Sequence, residues 1–201
     1  MSPHRGRFVV FEGGEGCGKS TQAERLATRL GAVLTREPGG TPLGGRLRAL
    51  LLDRATTGLA PKAEALLMAA DRAQHVAGVI EPSLSAGRHV VCDRYLYSSV
   101  AYQGFGRGLG AGEIAALSRF AVGSVLPDIV ILLDLDPRLA ATRLHGERDR
   151  FETEPPAFHD AVRSGFLAQA AEDPGRWVVL DASATVDEVT DAVNRSVESR
   201  W

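Results

Sequence analysis

The chain is poor in lysine, in cysteine and in long apolar runs. Only Lys19 and Lys62 among its 23 basic residues are lysines, so a lysine that completes a glycine-rich motif is informative. Two cysteines, Cys17 and Cys92, are too few for a disulfide framework and suit a reducing compartment. No apolar stretch approaches the roughly 20 residues that span a bilayer, and the N-terminus carries no signal-peptide hydrophobic region. We therefore expect a cytoplasmic protein without a membrane partner.

Excess charge of either sign is also lacking. The formal net charge of −2 provides no general attraction to nucleic acid or anionic lipid, so we expect no nucleic-acid partner. With 201 residues, 44% of them hydrophobic, the chain is long enough for one domain with a full core and too short for two ordinary domains. No repeat or low-complexity linker divides it. The sequence therefore predicts a single domain over residues 1–201.

Short apolar runs rich in β-branched residues alternate with helical patterns along the chain. The apolar runs are Phe8–Phe11, Ala32–Thr35, His89–Cys92, Ile129–Leu135 and Trp177–Leu180. The helical patterns are Thr21–Leu30, Ala63–Ser85, Gly112–Gly123, Pro137–Leu144, Phe158–Ala171 and Val186–Val197. Apolar runs that alternate with helices indicate parallel strands covered on both faces and joined by right-handed crossovers. The predicted fold is therefore α/β, a three-layer, doubly wound, five-stranded parallel sheet flanked by helices, with long loops at Gly104–Gly112 and Gly146–Pro156.

A glycine-rich motif follows the first predicted strand. Residues 13–20 read GGEGCGKS and fit G-x-x-x-x-G-K-[ST], with a strand before them and a helix after them. Such glycines let backbone N–H groups turn toward an anion, and the helix N-terminus adds its positive end. We predict that Lys19 reaches the β- and γ-phosphates of ATP and that Ser20 ligates Mg²⁺. The predicted ATP-binding residues of this motif are Gly13, Gly14, Glu15, Gly16, Cys17, Gly18, Lys19, Ser20 and Thr21.

Glu15 is an unexpected residue in a loop that holds anions. A carboxylate that faced the triphosphate would repel it at close range. We therefore expect Glu15 to point away from ATP, toward a hydroxyl of a second substrate, with a solvated loop acid as the alternative. Cys17 fills a small-residue position or, alternatively, is a reactive thiol near a helix N-terminus.

Four further motifs bear on the second substrate. They read TREPGGT at 35–41, ADRAQH at 70–75, CDRYLYSSVAYQG at 92–104 and RLHGERDRFE at 143–152. With the phosphate loop, the chain resembles the thymidylate kinase family of nucleoside monophosphate kinases over essentially its whole length. The resemblance implies transfer of the γ-phosphoryl group of ATP to thymidine 5′-monophosphate, in dTTP synthesis, with Mg²⁺ as cofactor. It also implies a homodimer.

The resemblance assigns roles around the acceptor phosphate. Arg36, Arg72 and Arg94 would surround that phosphate, since planar guanidinium groups suit phosphate recognition, although each alone could be a surface or ion-pairing residue. Pro38 would lie in the same acceptor site. Asp93 would organise Mg²⁺ opposite Ser20, with a salt bridge to Arg94 as the alternative. The predicted catalytic residues are Lys19, Asp93, Arg94, Arg148 and Arg150.

The resemblance also predicts a pocket for the base and the sugar. Ser99 and Tyr102 stand where the family recognises the thymine edge and crowds the sugar 2′ position, and Gln103 is a further pocket residue. Glu15 would accept a hydrogen bond from the sugar 3′-hydroxyl. Met68 stands where the family commonly has an aromatic residue that stacks on thymine, so a change in base selectivity is left open. Methionine can also contact a base, although a simple core role is the alternative.

The late loop resembles a lid that closes over ATP, over residues of about 143–157. Relatives with glycine after the loop acid tend to supply a catalytic arginine from the lid, and Gly16 has that place here. Arg143, Arg148 and Arg150 are the candidates, with stacking near adenine as the alternative for Arg143. His145 stands where many relatives have arginine, so we expect Arg148 to supply the guanidinium.

Two rival functions stay open. One is a nucleoside monophosphate kinase with a different base specificity, and the other is a nucleotide-dependent switch or motor.

Overall fold

The computed structural model describes residues 5–144 and 146–201. Its centre is a parallel sheet whose order is β2-β3-β1-β4-β5. The strands are β1 (Phe8–Glu12), β2 (Val33–Arg36), β3 (Val90–Asp93), β4 (Ile129–Asp134) and β5 (Trp177–Asp181). Every strand pair is parallel, which requires a crossover between successive strands. The predicted five-stranded, doubly wound α/β fold is confirmed.

Helices cover both faces of this sheet. They are α1 (Lys19–Leu30), α2 (Pro42–Leu52), α3 (Pro61–His75), α4 (Glu81–Ser85), α5 (Leu96–Ser99), α6 (Ala111–Val122), α7 (Pro137–Arg143), α8 (Pro156–Glu172) and α9 (Val186–Glu198). Two π-helical segments, Val76–Ile80 and Val100–Gly106, extend α3 and α5. Within the described residues, no helix has the length and apolar character that crossing a membrane requires.

The core has two layers because alternate residues of the strands face opposite sides. In β1, Val9 and Phe11 pack with α1 and α9, whereas Phe8 and Val10 pack with the π-helical extension of α3 and with α4 and α6. All four side chains are fully buried. The central strand is therefore apolar on both faces, as its unbroken apolar sequence predicts.

The structure differs from the sequence prediction in two unpredicted helices, α2 and α5, and in the bounds of both predicted loops. Helix α2 was not predicted, although Thr41 caps it through Gly44 N–H and Pro42 opens it, both of which are readable N-terminal signals. The predicted loop Gly104–Gly112 is wrong at both ends, because Gly104 lies in the π-helical segment and Gly112 lies in α6. The second predicted loop, Gly146–Pro156, holds except that Pro156 already begins α8.

The carboxyl ends of β1, β2 and β3 meet at one edge of the sheet. The register pairs Phe11 with Asp93 and Arg36 with Asp93 on its other side, so the three strands end together. The phosphate-loop motif, the REPGGT segment and the DRY segment all follow these ends. This edge is where an open parallel sheet binds its ligands.

Candidate active site

The phosphate loop joins β1 to α1 and bends back over the helix N-terminus. Gly18 caps α1 in the left-handed region, with φ of 91°, and Gly16 has φ of 69°. A Cβ at Gly16 would also lie 2.6 Å from the carbonyl oxygen of Ala140 in α7, so no side chain fits there unless α7 moves. An arginine would therefore not fit at this position in the present arrangement of α7, and the supply of one by the lid stays a prediction.

Lys19 is the buried cation of the loop. Its side chain folds back so that Nζ donates to the carbonyl oxygen of Gly14 at 2.5 Å, and the residue is 6% exposed. Cys17 Sγ lies 3.5 Å from the same ammonium group. The structure thus holds Lys19 inside the concavity of the loop, where a bound phosphate chain would meet it.

Ser20 and Asp93 come together as the sequence predicts. The hydroxyl of Ser20 donates to Asp93 Oδ2 at 2.5 Å. The other carboxylate oxygen, Asp93 Oδ1, is buried and has no hydrogen-bond partner among the residues that the structure describes. Buried carboxylate oxygens rarely stay without a partner, so this atom has capacity for a cation or for ordered water.

Glu15 lies against Arg94 and Tyr102. Arg94 Nη2 donates to Glu15 Oε1 at 2.6 Å, and the hydroxyl of Tyr102 donates to the same oxygen at 2.8 Å. Burial raises the pKa of Glu15, but Arg94, Lys19 and the Tyr102 hydroxyl outweigh it and lower that pKa to about 2. Glu15 is therefore an ionised acceptor that is 23% exposed in its side chain.

Arg94 is held in an unusual backbone conformation. Its φ of 69° is the one positive value among the non-glycine residues that the structure describes, and such conformations concentrate at functional sites. The guanidinium group also donates to the carbonyl oxygen of Gly13 at 2.9 Å, and it lies 5.0 Å from the ring centroid of Tyr102. Arg94 therefore ties the phosphate loop to the segment that follows β3.

Glu12, the last residue of β1 and not one of the predicted site residues, holds the segment that follows Arg94. Its fully buried carboxylate accepts the backbone N–H groups of Tyr95 and Ser98 at 3.0 and 3.2 Å, and the Ser98 hydroxyl at 2.5 Å. Burial is the main effect and raises the pKa of Glu12 from 4.5 to about 7, although these donors and Arg94 oppose it. An acid at the end of an apolar strand was the signal that could have identified it.

Two cavities adjoin at this edge of the sheet. The first is polar and is bordered by the phosphate loop and the strand ends, through Glu15, Gly16, Gly18, Lys19, Ser20, Thr21, Arg36, Glu37, Arg48, Asp93 and Arg94. The second is more apolar and lies toward α3, bordered by Pro38, Met68, Arg72, Ser99, Tyr102, Gln103 and Phe151 among others. Glu37, Arg48 and Arg94 border both cavities. The two spaces therefore meet at a pair of arginines.

Arg48 is a site residue that sequence reasoning missed, because it lies on the unpredicted helix α2. Its Nη1 donates to the carbonyl oxygen of Pro38 at 3.0 Å. Burial and the positive charges of Arg36 and Arg94 lower the pKa of the Arg48 guanidinium. Arg36, Arg48 and Arg94 border the same polar cavity, and their mutual repulsion would be relieved by a bound anion.

Arg72 is buried and lines the second cavity, whereas Arg36 lines the first. Its Nε donates to Glu37 Oε2 at 2.8 Å, and its Nη2 donates to Ser99 Oγ at 3.0 Å and to the Tyr95 carbonyl at 3.2 Å. Only 2% of the residue is exposed. Arg72 and Ser99 therefore come together with Met68, whereas Arg36 lies in the polar cavity.

Gln103 and Arg150 share one buried acid, Glu64 of α3. Gln103 Nε2 donates to Glu64 Oε1 at 2.9 Å, and Arg150 Nη2 lies 2.7 Å from Glu64 Oε2. Arg107 also donates to this carboxylate, and Arg150 Nε donates to the Leu51 carbonyl at 2.9 Å. Arg150 is thus anchored to α3 and α2 in this structure, and its catalytic assignment stays a prediction.

The other two lid arginines, Arg143 and Arg148, contact different parts of the structure. Arg143 donates to the carbonyl oxygens of Ala182 and Ser183, which follow β5. Arg148 is exposed and borders a cavity of about 300 Å³ between α7 and α8 that also reaches Gly14 and Glu15. His145 lies outside the described residues. Arg148 therefore borders a cavity that the phosphate loop also lines.

Comparison with known proteins gives one consistent result. The family model described as Thymidylate kinase matches residues 11–193. The chain is 51% identical to a thymidylate kinase of Leifsonia xyli subsp. xyli, over 97% of the chain and 96% of that protein. It is 49% identical to one of Solidesulfovibrio magneticus, over 92% and 96%. The crystal structure of a thymidylate kinase from Ehrlichia chaffeensis superimposes with a TM-score of 0.80 at 34% identity, covering 96% and 99% of the two chains.

Proposed function

Because the chain belongs to the thymidylate kinase family, we propose that it transfers the γ-phosphoryl group of ATP to thymidine 5′-monophosphate. The observation that supports this most directly is the pair of adjoining cavities. One is lined by the phosphate loop and the other by groups suited to a base and a sugar, and they meet at Arg48 and Arg94. A switch or a motor needs only the first cavity, so the second indicates an acceptor substrate.

On the donor side, the backbone of residues 13–21 and Lys19 bind the phosphate chain of ATP. Lys19 is already buried in the loop, so it neutralises phosphate charge without a large loss of side-chain entropy. Arg143 borders the loop after β5 and contributes to the adenine end. The predicted ATP-binding residues would thus bind the two ends of ATP, with residues 13–21 at the phosphates and Arg143 at the adenine.

A magnesium ion fits the Ser20 and Asp93 pair. Their oxygens are the hard donors that Mg²⁺ prefers, and Asp93 Oδ1 has no protein partner among the described residues. Magnesium is usually bound by one or two carboxylates together with substrate phosphates, so a large protein cage is not required. When bound, Mg²⁺ would supply neutralisation of phosphate charge.

On the acceptor side, the monophosphate lies at the junction of the two cavities. We assign its phosphate to Arg36, Arg48 and Arg94, and its base to the pocket of Pro38, Met68, Arg72, Ser99 and Gln103. This moves Arg72 from the phosphate, where the resemblance had suggested it, to the base, because Arg72 borders only the second cavity. The guanidinium group of arginine carries only hydrogen-bond donors, and the carbonyl oxygens of thymine can accept from them.

Glu15 and Tyr102 serve the sugar. Glu15 is ionised and faces the Arg94 and Tyr102 side of the loop, so it can accept a hydrogen bond from the 3′-hydroxyl. The buried ring of Tyr102 packs edge-on against Phe151, Phe158 and Phe166, which leaves it little freedom to move. A rigid ring at this place limits the room for a 2′-hydroxyl and favours a deoxynucleotide.

The reaction is an in-line displacement. An oxygen of the acceptor phosphate attacks the γ-phosphorus of ATP, the new P–O bond forms, and the bond to the ADP oxygen breaks. The acceptor phosphate is ionised at neutral pH, so no strong general base is needed. Lys19, Arg94 and Arg148 stabilise the charge that spreads over the transferred group, and Arg148 arrives with the lid of residues 143–157.

We also propose a single domain over residues 1–201, a homodimer, and a cytoplasmic role in dTTP synthesis. Support for the dimer comes from large apolar side chains exposed on three adjacent helices, α2, α3 and α6. Leu50 is 45% exposed, Leu66 is 58% exposed and Phe120 is 90% exposed. A second copy of the chain would cover this face.

A coupled assay of ADP formation tests the proposed activity. The assay uses ATP with the thymidine, deoxyuridine, uridine, deoxycytidine, adenosine and guanosine monophosphates in turn. Thymidine monophosphate should give the highest kcat/KM, with the ribonucleotide disfavoured. Hydrolysis of ATP that does not depend on any monophosphate would instead support the switch or motor reading.

A further inference from the structure

A buried chain of hydrogen bonds leads from the end of β2 to the base pocket. Thr35 Oγ1 lies 2.6 Å from His75 Nε2, and His75 Nδ1 lies 2.9 Å from Glu37 Oε1. The other oxygen of Glu37 accepts Arg72 Nε, and Arg72 continues to Ser99. The chain therefore ends on the guanidinium group that borders the acceptor cavity.

The roles within this chain follow from the donor and acceptor inventory. A carboxylate only accepts, so His75 Nδ1 must carry the proton that Glu37 Oε1 accepts. In the neutral ring Nε2 is then an acceptor, and the Thr35 hydroxyl donates to it. Each member is thus satisfied by its neighbours, and no proton transfer is involved.

Burial makes the chain rigid. His75, Arg72 and Glu37 are 0%, 2% and 4% exposed. Polar groups that are this deeply buried are costly unless they are paired, and a fully paired network has one favoured arrangement. His75 is also confined by packing, because a Cβ on Gly40 would lie 2.4 Å from its ring.

The helix geometry changes directly after His75. His75 is the last residue of α3, and the chain continues directly into the π-helical segment Val76–Ile80. Such wide turns cost hydrogen-bond quality and often occur at functional sites. A leucine could fill the same space in a core, but it could not hold Glu37.

We propose that His75 is a positioning residue that sets base selectivity, because it orients Glu37 and, through Glu37, the Arg72 guanidinium that faces the acceptor base. This inference rests on the proposed function, since Arg72 reads a base only if a nucleotide occupies the second cavity. Arg72 donates and cannot accept, so a fixed guanidinium favours the carbonyl oxygens of thymine over the amino group of cytosine.

The test compares two replacements of nearly equal shape. His75→Asn keeps a donor for Glu37, whereas His75→Leu removes it. We expect His75→Leu to raise the KM for thymidine monophosphate about tenfold, the size of one lost charge-assisted hydrogen bond. Its preference for thymidine over deoxycytidine monophosphate should fall by a similar factor. The KM for ATP and the kcat should change less than about twofold, and His75→Asn should stay near the wild type.

Two further variants keep the result decisive. His89→Leu removes a histidine that bonds to Arg7 N–H and lies against Trp201, outside both cavities, and it should leave the monophosphate KM unchanged. If His75→Leu fails to fold, Thr35→Val decides, because it removes only the outer hydrogen bond. We expect a rise of about threefold in the monophosphate KM with the KM for ATP unchanged.

Different failures point to different errors. If His75→Asn and His75→Leu impair the enzyme equally, the positioning role is refuted and general destabilisation is indicated. The same conclusion follows if the KM for ATP and the KM for the monophosphate rise together in His75→Leu or in Thr35→Val. Unchanged selectivity in the deciding variant would refute it as well. A wild-type protein that phosphorylates no monophosphate would refute the proposed function itself, and this inference with it.

Discussion

Replacement of Glu12 by glutamine should change the pH dependence of folding stability. Burial raises the pKa of Glu12 to about 7 in the folded protein, against 4.5 as its ordinary value. The folded state therefore holds a proton that the unfolded state has released. Stability from this group is complete below about pH 4.5 and is lost as the pH rises through about 7.

The magnitude follows from proton linkage. A pKa that moves from 4.5 to about 7 costs the wild type about 2.5 kcal/mol of unfolding free energy between pH 5 and pH 8. Glu12→Gln keeps the Oε1 acceptor for Tyr95 and Ser98 but does not titrate. The variant should therefore gain about 2.5 kcal/mol relative to the wild type over this range.

Urea denaturation followed by circular dichroism at pH 5, 6, 7 and 8 measures this difference. Groups that titrate in both proteins contribute equally to the two unfolding free energies, so they cancel in the difference. Glu15→Gln is the matched control, because the pKa of Glu15 is lowered to about 2. Glu15 contributes stability above about pH 4.5 and loses it only as the pH falls toward 2, so its difference from the wild type should stay flat. A flat result for Glu12→Gln would refute the reasoning and show that its three hydrogen-bond donors outweigh burial.

Three other substitutions and one chemical modification test the site. Arg148→Ala should lower kcat by about a hundredfold in the coupled assay, whereas Arg150→Ala should mainly lower the melting temperature, because it leaves Glu64 buried with fewer partners. Met68→Phe should lower the KM for thymidine monophosphate, because an aromatic ring stacks on a base better than a thioether. Alkylation of Cys17, which is buried in the phosphate loop, should inactivate the enzyme, and ATP should protect it, as peptide mass spectrometry and activity would show.

Each of these expectations has an outcome that contradicts it. A larger kcat loss in Arg150→Ala than in Arg148→Ala would assign the catalytic guanidinium to Arg150. An unchanged Michaelis constant in Met68→Phe would mean that Met68 is a core residue without contact to the base. Labelling of Cys17 at the same rate with and without ATP would separate the thiol from the donor site, and Cys92, which is fully buried, is the internal control.

Much of the site follows from sequence because its parts are local. The phosphate loop needs glycines, a lysine and a hydroxyl at fixed spacing, and a contiguous motif records them all. The resemblance to the family predicted Asp93 opposite Ser20, and the structure brings the two together because the parallel strands end at one edge. Helix α2 was missed because its apolar residues do not form a clear stripe, and Arg48 was missed with it.

The sequence by itself determined the fold class, the family and the chemistry of the loop, because apolar alternation and short motifs are encoded in neighbouring residues. Only the tertiary structure decided which arginine belongs to which ligand. Arg36 and Arg72 look alike in sequence, yet one lines the polar cavity and the other is fastened by Glu37 in the base pocket. Guanidinium groups are long and are directed by distant carboxylates, so their roles depend on contacts between residues far apart in the chain.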